Sequence, residues 1–323
     1  MNMSWLGYPQ VMLAAWCPAV TVGLWHLLRR LTVRLPARER FVLAVGTALT
    51  PLLAMAVPYL PHSPLRDALP WRAPIAWGIS NGITNADPAQ VLSAVGAQLM
   101  LAASIVPLVS LAVSFAAGAV HVVRTARTVT LLAPRQCGDV WIVDDLGGDL
   151  ADGVGGDAGH AARNLASTVG LARPRIVLSA TVAESPEASA IIRHERAHAR
   201  ARHPLWIFLA TCALRSWWWI PGRKAILGET RLAAELWADQ DARAADGAAA
   251  VARALCAQID AHARPAGSDL ALAGGGIGFL DPGVELAHRA QALADPPRVL
   301  PAWQSWTVRT LIVAAVGAAA VLL

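Results

Sequence analysis

Charge is what this chain has least of. Only 15% of its 323 residues are Asp, Glu, Lys or Arg, against roughly a quarter in soluble domains, while 55% are hydrophobic and the mean hydropathy is +0.45. That balance excludes an ordinary soluble globule and fits a multi-pass membrane protein. C-x-x-C spacing is missing: Cys17, Cys137, Cys212 and Cys256 stand apart, so neither a disulfide framework nor a cysteine-held zinc is expected. Cys17 and Cys212 lie in apolar runs and read as small buried hydrophobes. The net charge of +5 comes without a basic stripe interleaved with aromatics, which argues against direct nucleic-acid binding. Gly274-Gly275-Gly276 lacks the Lys-Ser/Thr of a phosphate loop and reads as linker. The aspartates of 144–159 lack EF-hand spacing, so that stretch is a loop rather than a calcium site. The first ten residues have no basic flank or cleavage site, and the apolar run after them is expected to remain as an anchor.

What is present begins with long apolar runs. Residues 11–28 and 41–60 are each long enough to span a bilayer. Between them stand Arg29, Arg30, Arg34, Arg38 and Arg40, opposed only by Glu39. The positive-inside rule makes this short loop cytoplasmic and the N-terminus external. Residues 61–90 read as an external loop, with Trp71 and Trp77 at interface level. Residues 91–123 are apolar for 33 residues, about 50 Å of helix against a hydrocarbon core of about 30 Å. One helix crossing at about 97–120 and extending beyond the bilayer is expected. Arg124, Arg127 and Arg135 then return the chain to the cytoplasm. The expected organisation is a membrane domain at 1–123, a cytoplasmic domain at 124–302 and a C-terminal transmembrane helix at 303–323.

Within the middle region, Val140–Val143 and 176–179 are β-branched runs that predict strands. Residues 184–202 predict a helix started by Ser185-Pro186-Glu187, with further helices at 222–247 and at Ala248–Ala263. The first of these helices carries His194-Glu195-Arg196-Ala197-His198. Imidazoles four residues apart share a helical face and can grip one metal ion. The glutamate between them is placed as general base toward the attacking water. Arg193, Arg196 and Arg200 also allow a plain solvated face, and His203, just before Pro204, reads as a helix-end cap.

A catalytic zinc takes three protein ligands. Glu235 and Asp239, four apart on a predicted helix, supply the third: Glu235 as ligand, with Asp239 accepting the N–H of a ligand histidine. If Glu235 is not the ligand, Asp239 is the next candidate. A single crossing by the apolar stretch 205–220 would put the histidines and Glu235 on opposite sides of the bilayer. That stretch is therefore expected to be a buried or interfacial helix, its Trp217-Trp218-Trp219 cluster near the headgroups.

An H-E-x-x-H followed by E-x-x-x-D resembles the gluzincin metallopeptidases. Three further stretches resemble the membrane-bound antirepressor peptidases of the BlaR/MecR type. Arg173-Pro174-Arg175-Ile176-Val177-Leu178-Ser179 is similar to their edge strand, Trp219-Ile220-Pro221 to their W-x-P, and the stretch from Glu285 through His288 and Arg289 to Leu293 to their closing element. The likeness covers roughly 120–295. The penicillin-binding sensor of those antirepressors is not expected here, so β-lactam sensing is not carried over. The resemblance implies an α+β zincin-like peptidase domain on the cytoplasmic side of a bacterial inner membrane, one Zn2+ ion, and a protein or peptide substrate such as a transcriptional repressor. Arg289 or His288 is a candidate to stabilise the oxyanion, with a domain-closing salt bridge as the alternative for Arg289. Two rival functions are a quality-control membrane protease of the HtpX type and a non-enzymatic scaffold that retains the motif.

Overall fold

The structure, a computed structural model, describes residues 35–56, 88–144, 166–219, 221–263, 282–296 and 299–322, with scattered residues between 19 and 29. Most of the first apolar run, most of the 61–90 loop, the aspartate- and glycine-rich loop beyond Asp144 and the Gly274 run lie outside the described residues. The chain is mostly helical, with a small mixed sheet and one long apolar helix.

Ahead of the sheet, the described residues include two long helices, α1 (Ala37–Ala56) and α2 (Pro88–Leu131). The 44 residues of α2 make a rod of about 66 Å at 1.5 Å per residue. Its segment Val106–Leu131 is the one helix among the described residues long and apolar enough to cross a membrane. Val109, Val113, Val120 and Val123 stand exposed along it. Thr125, Thr128 and Thr130 donate to the carbonyls four residues back, which satisfies their hydroxyls within the helix.

The sheet follows: β1 (Arg135–Cys137), β2 (Val140–Val143), β3 (Ala166–Val169) and β4 (Arg175–Ser179). Its order is β1-β2-β4-β3, with β2 and β4 parallel and the other pairs antiparallel. Val140 pairs with Ile176, and Ala166 with Leu178. The likeness drawn above made Arg173–Ser179 an edge strand; the structure corrects this. β4 is flanked on both sides, and Ile176, Val177 and Leu178 in succession are buried, as a strand covered on both faces requires. The edge on that side belongs to β3, whose Ala-Ser-Thr-Val is too short a β-branched run to read as a strand. Gly170 turns β3 into β4 with φ +102, where an added Cβ would lie 3.0 Å from the Arg173 carbonyl oxygen.

After β4 come α3 (Ala180–Ala183), α4 (Ala188–Ala201), α5 (His203–Ser216), α6 (Arg223–Asp246), α7 (Ala248–Ala263), α8 (Pro282–Ala294) and α9 (Ala302–Leu322). The helix predicted at 184–202 starts at Ala188 instead. Residues 184–187 form a turn, and the side-chain cap belongs to Ser179, which accepts from the Val182 N–H at the start of α3. Glycines bound α6 as expected: Gly222 and Gly247 both take positive φ, which glycine adopts without a Cβ penalty. One apolar core joins the sheet to α4, α6 and α7 through Val140, Ile176, Leu178, Ile191, Ala242 and Val251. A second joins α1, α5 and α6 through Ala44, Ala210, Leu214 and Ile226.

The α1–α6 contact is also ionic. Arg38 pairs with Asp241 and Arg40 with Glu229, while buried Glu39 accepts from Arg309 and Ser305 of α9. Charges read from sequence as orientation signals thus also clamp the start of α1 onto the helix that carries Glu235.

Candidate metal centre

Helix α4 separates two chemistries on opposite faces. At 100° per residue, Arg193, Arg196 and Arg200 cluster about 150° around the axis from His194 and His198. The arginines form the solvated face: Arg196 binds both oxygens of Asp139 at 2.6 and 2.7 Å, and Arg193 pairs with Asp246 at 3.1 Å. His194, Glu195 and His198 are buried. The solvated face expected of the arginines is thus present, and the two histidines lie on the buried side of the same helix.

His194 Nε2 and His198 Nε2 face each other at 3.0 Å. Glu235, on the α6 helix packed across α4, brings Oε2 to 3.3 Å from His194 Nε2 and Oε1 to 3.5 Å from His198 Nε2. Zinc bonds of about 2.0–2.1 Å in a tetrahedron separate ligand atoms by about 3.3–3.4 Å. Two imidazole nitrogens 3.0 Å apart, with one oxygen of the Glu235 carboxylate 3.3 Å from the first and its other oxygen 3.5 Å from the second, fit that ion in donor type and in approximate spacing. These three residues form the metal-competent group found among the described residues. Glu235 keeps 26% of its side chain accessible, against 10% and 11% for the histidines, so the open side of the group is the carboxylate side.

Behind these three residues lies a polar layer. Asp239 accepts from His194 Nδ1 at 2.9 Å, which turns His194 Nε2 toward His198 and Glu235. Arg289 holds both oxygens of Asp239 at 2.8 and 2.9 Å and reaches Glu235 Oε2 at 3.1 Å. These contacts are those of the domain-closing salt bridge: α8 is tied to α6 through two carboxylates. His288 is exposed and donates from Nδ1 to the Val284 carbonyl of its own helix at 2.7 Å.

The electrostatics follow from this layer. Burial pulls the His194 imidazolium down, but Asp239 and Glu235 outweigh it and carry its pKa up to about 10. Burial keeps His198 below its ordinary value. Burial would raise Glu235, yet Arg289 and the histidines hold its carboxyl well below the usual range. Asp239 is lowered in the same way, against its burial, by His194 and Arg289.

Two residues escaped sequence reasoning. Thr168 of the edge strand β3 donates its hydroxyl toward Glu195, at 2.7 Å from Oε2 and 2.9 Å from the carbonyl oxygen. Its pairing required knowing which strand forms the edge. His203 is not a helix-end cap. Arg202 ends α4 in the left-handed region, φ 53 and ψ 39, with its N–H on the carbonyls of His198 and Ala199. That turn drops His203 into the interior, fully buried, with Nδ1 3.0 Å from His198 Nδ1. Burial and neighbouring His198 push its pKa down to about 3. The one available signal was the adjacent proline, which begins a new helix. No family model matches the chain, and no curated protein or solved structure matches it significantly.

Proposed function

We propose that the chain is a zinc-dependent endopeptidase of the bacterial inner membrane, with its active site on the cytoplasmic side and a regulatory protein, such as a transcriptional repressor, as substrate. The observation that carries this reading is the convergence of His194, His198 and Glu235 at tetrahedral ligand spacing. His194, His198 and Glu235 would hold the ion, which when bound polarises a scissile carbonyl and acidifies water. Glu195, set one residue after the first ligand and steadied by Thr168, takes the proton from the attacking water and delivers it to the leaving amine. Asp239 and Arg289 hold the ligand set in place from behind.

Several features support the membrane placement. The exposed valine face of α2 suits lipid. The predicted segments at 11–28, 41–60 and 303–323 supply further crossings, and the arginine-rich start of α1 sets the cytoplasmic side. The 14 residues of α5 give about 21 Å of helix, short of a hydrocarbon core of about 30 Å. Reading α5 as part of the peptidase domain keeps the three ligands on one side.

The test is metal analysis of the purified full-length protein and its Glu195→Gln and His194→Ala variants, followed by incubation with a peptide library. About one zinc per chain is expected in the parent and in Glu195→Gln, with a severe loss in His194→Ala. Cleavage should occur in the parent alone. A metal-free parent, or cleavage undiminished in Glu195→Gln, would sink the assignment.

A further inference from the structure

We propose that His203 is a positioning residue for the metal group, accepting the Nδ1–H of His198 and so holding the His198 Nε2 lone pair toward His194 and Glu235. The inference rests on the zinc reading above. His198 Nε2 is the atom that meets His194 Nε2 at 3.0 Å and Glu235 Oε1 at 3.5 Å. A neutral imidazole with a free lone pair on Nε2 carries its proton on Nδ1, and that proton needs an acceptor. For His194 the acceptor is Asp239. For His198 the atom at hydrogen-bond distance is His203 Nδ1, at 3.0 Å.

A second observation points the same way. His203 is fully buried, and its other ring nitrogen, Nε2, has no hydrogen-bond partner. The rings of Phe41 and Trp237 lie at 4.6 and 4.8 Å, between centroids. A polar atom orphaned in such a place is a cost, and in a merely space-filling role leucine or phenylalanine would avoid it. The histidine is explained by the nitrogen that is engaged. Matching donors and acceptors gives one consistent arrangement: His203 carries its proton on Nε2, against the aromatic wall, and leaves Nδ1 free to accept. The two zinc histidines are then oriented by different chemistry, one by a carboxylate backed by Arg289 and the other by a neutral ring. Phe41 belongs to α1, so the helix from the membrane half is seated one hydrogen bond away from a metal ligand.

The test uses the near-isosteric pair His203→Leu and His203→Asn in the full-length protein. Zinc affinity is read by competition with a chelator, and thermal unfolding is followed in the metal-free state. His203→Leu should lose about 10- to 100-fold in zinc affinity while the metal-free protein melts no lower than the parent. His203→Asn keeps an acceptor and should bind zinc within about threefold of the parent, despite a lower melting temperature from its buried amide. His203→Phe, which keeps the ring volume without the acceptor, should match the loss seen for leucine. Equal zinc affinities for Leu and Asn, or Phe binding like the parent, would reduce His203 to packing and overturn the proposal. If the parent itself binds no zinc, the functional reading falls and this inference with it; a zinc-binding parent with unaffected Leu and Phe variants overturns this inference alone.

Discussion

Replacing Asp239 by Asn changes one atom in the layer that supports the metal group, and the structure limits where that atom can go. Oδ1 accepts from His194 Nδ1 at 2.9 Å and from an Arg289 terminal nitrogen at 2.9 Å, while Oδ2 accepts from Arg289 Nε at 2.8 Å. An amide nitrogen in the Oδ1 position would oppose two donors, and in the Oδ2 position only one. Asparagine is therefore expected to keep its oxygen on His194 and turn its NH2 against Arg289 Nε–H. Breaking one side of a buried ion pair costs about 3–5 kcal/mol. The loss in metal-free stability should fall near the lower end, about 3 kcal/mol, because Arg289 retains Glu235 at 3.1 Å. His194 keeps a weaker, neutral acceptor, so zinc affinity should fall about 10- to 100-fold, equivalent to about 1.4–2.7 kcal/mol. Chelator competition reads the affinity and thermal or denaturant unfolding reads the stability. An Asp239→Asn protein that binds zinc as tightly as the parent would refute the claim that Asp239 orients His194.

Three further outcomes are expected. Thr168→Val removes the hydroxyl that donates toward Glu195 and should lower kcat about tenfold or more, in line with a hydrogen bond to a charged group, with zinc content unchanged; unaltered kcat would detach Thr168 from the base. In the metal-free state His194 holds a proton up to a pKa of about 10, whereas His198 is shifted down and Glu235 well down. Binding zinc must expel that one proton, so apparent affinity should climb about tenfold per pH unit between pH 6 and 8, and an indicator dye should count about one proton released per ion. A flat profile would mean that His194 is neutral. Gly118→Ala should loosen the α2–α5 contact, because an added Cβ would meet Phe208 at 2.2 Å; a loss of about 1–3 kcal/mol is expected from overpacking, with recovery in Gly118→Ala/Phe208→Leu. No change on Gly118→Ala would show that α2 does not approach α5 there.

The sequence by itself determined whatever depends on short-range geometry. The His194–His198 spacing placed two imidazoles on one helical face, the four-residue step from Glu235 to Asp239 did the same on α6, and Gly222 and Gly247 marked its ends. Val140–Val143 was legible as a strand because β-branched residues suit an extended backbone. Tertiary structure decided the rest. Arg289 meets Asp239 across 50 residues, and Arg38 meets Asp241 across 203. No periodicity encodes such pairings, which arise only when α1, α6 and α8 pack together. β3 was missed because only Thr168 and Val169 of its four residues favour strands, too short a run to read, and it is held by pairing with β4 and by packing against α4. The role of His203 was hidden by a single left-handed residue, Arg202, which turns the chain sharply enough to bury the next side chain beside His198. Helical period and turn preference act over a few residues, whereas the partner of a buried polar atom is set by which distant segment the core brings against it.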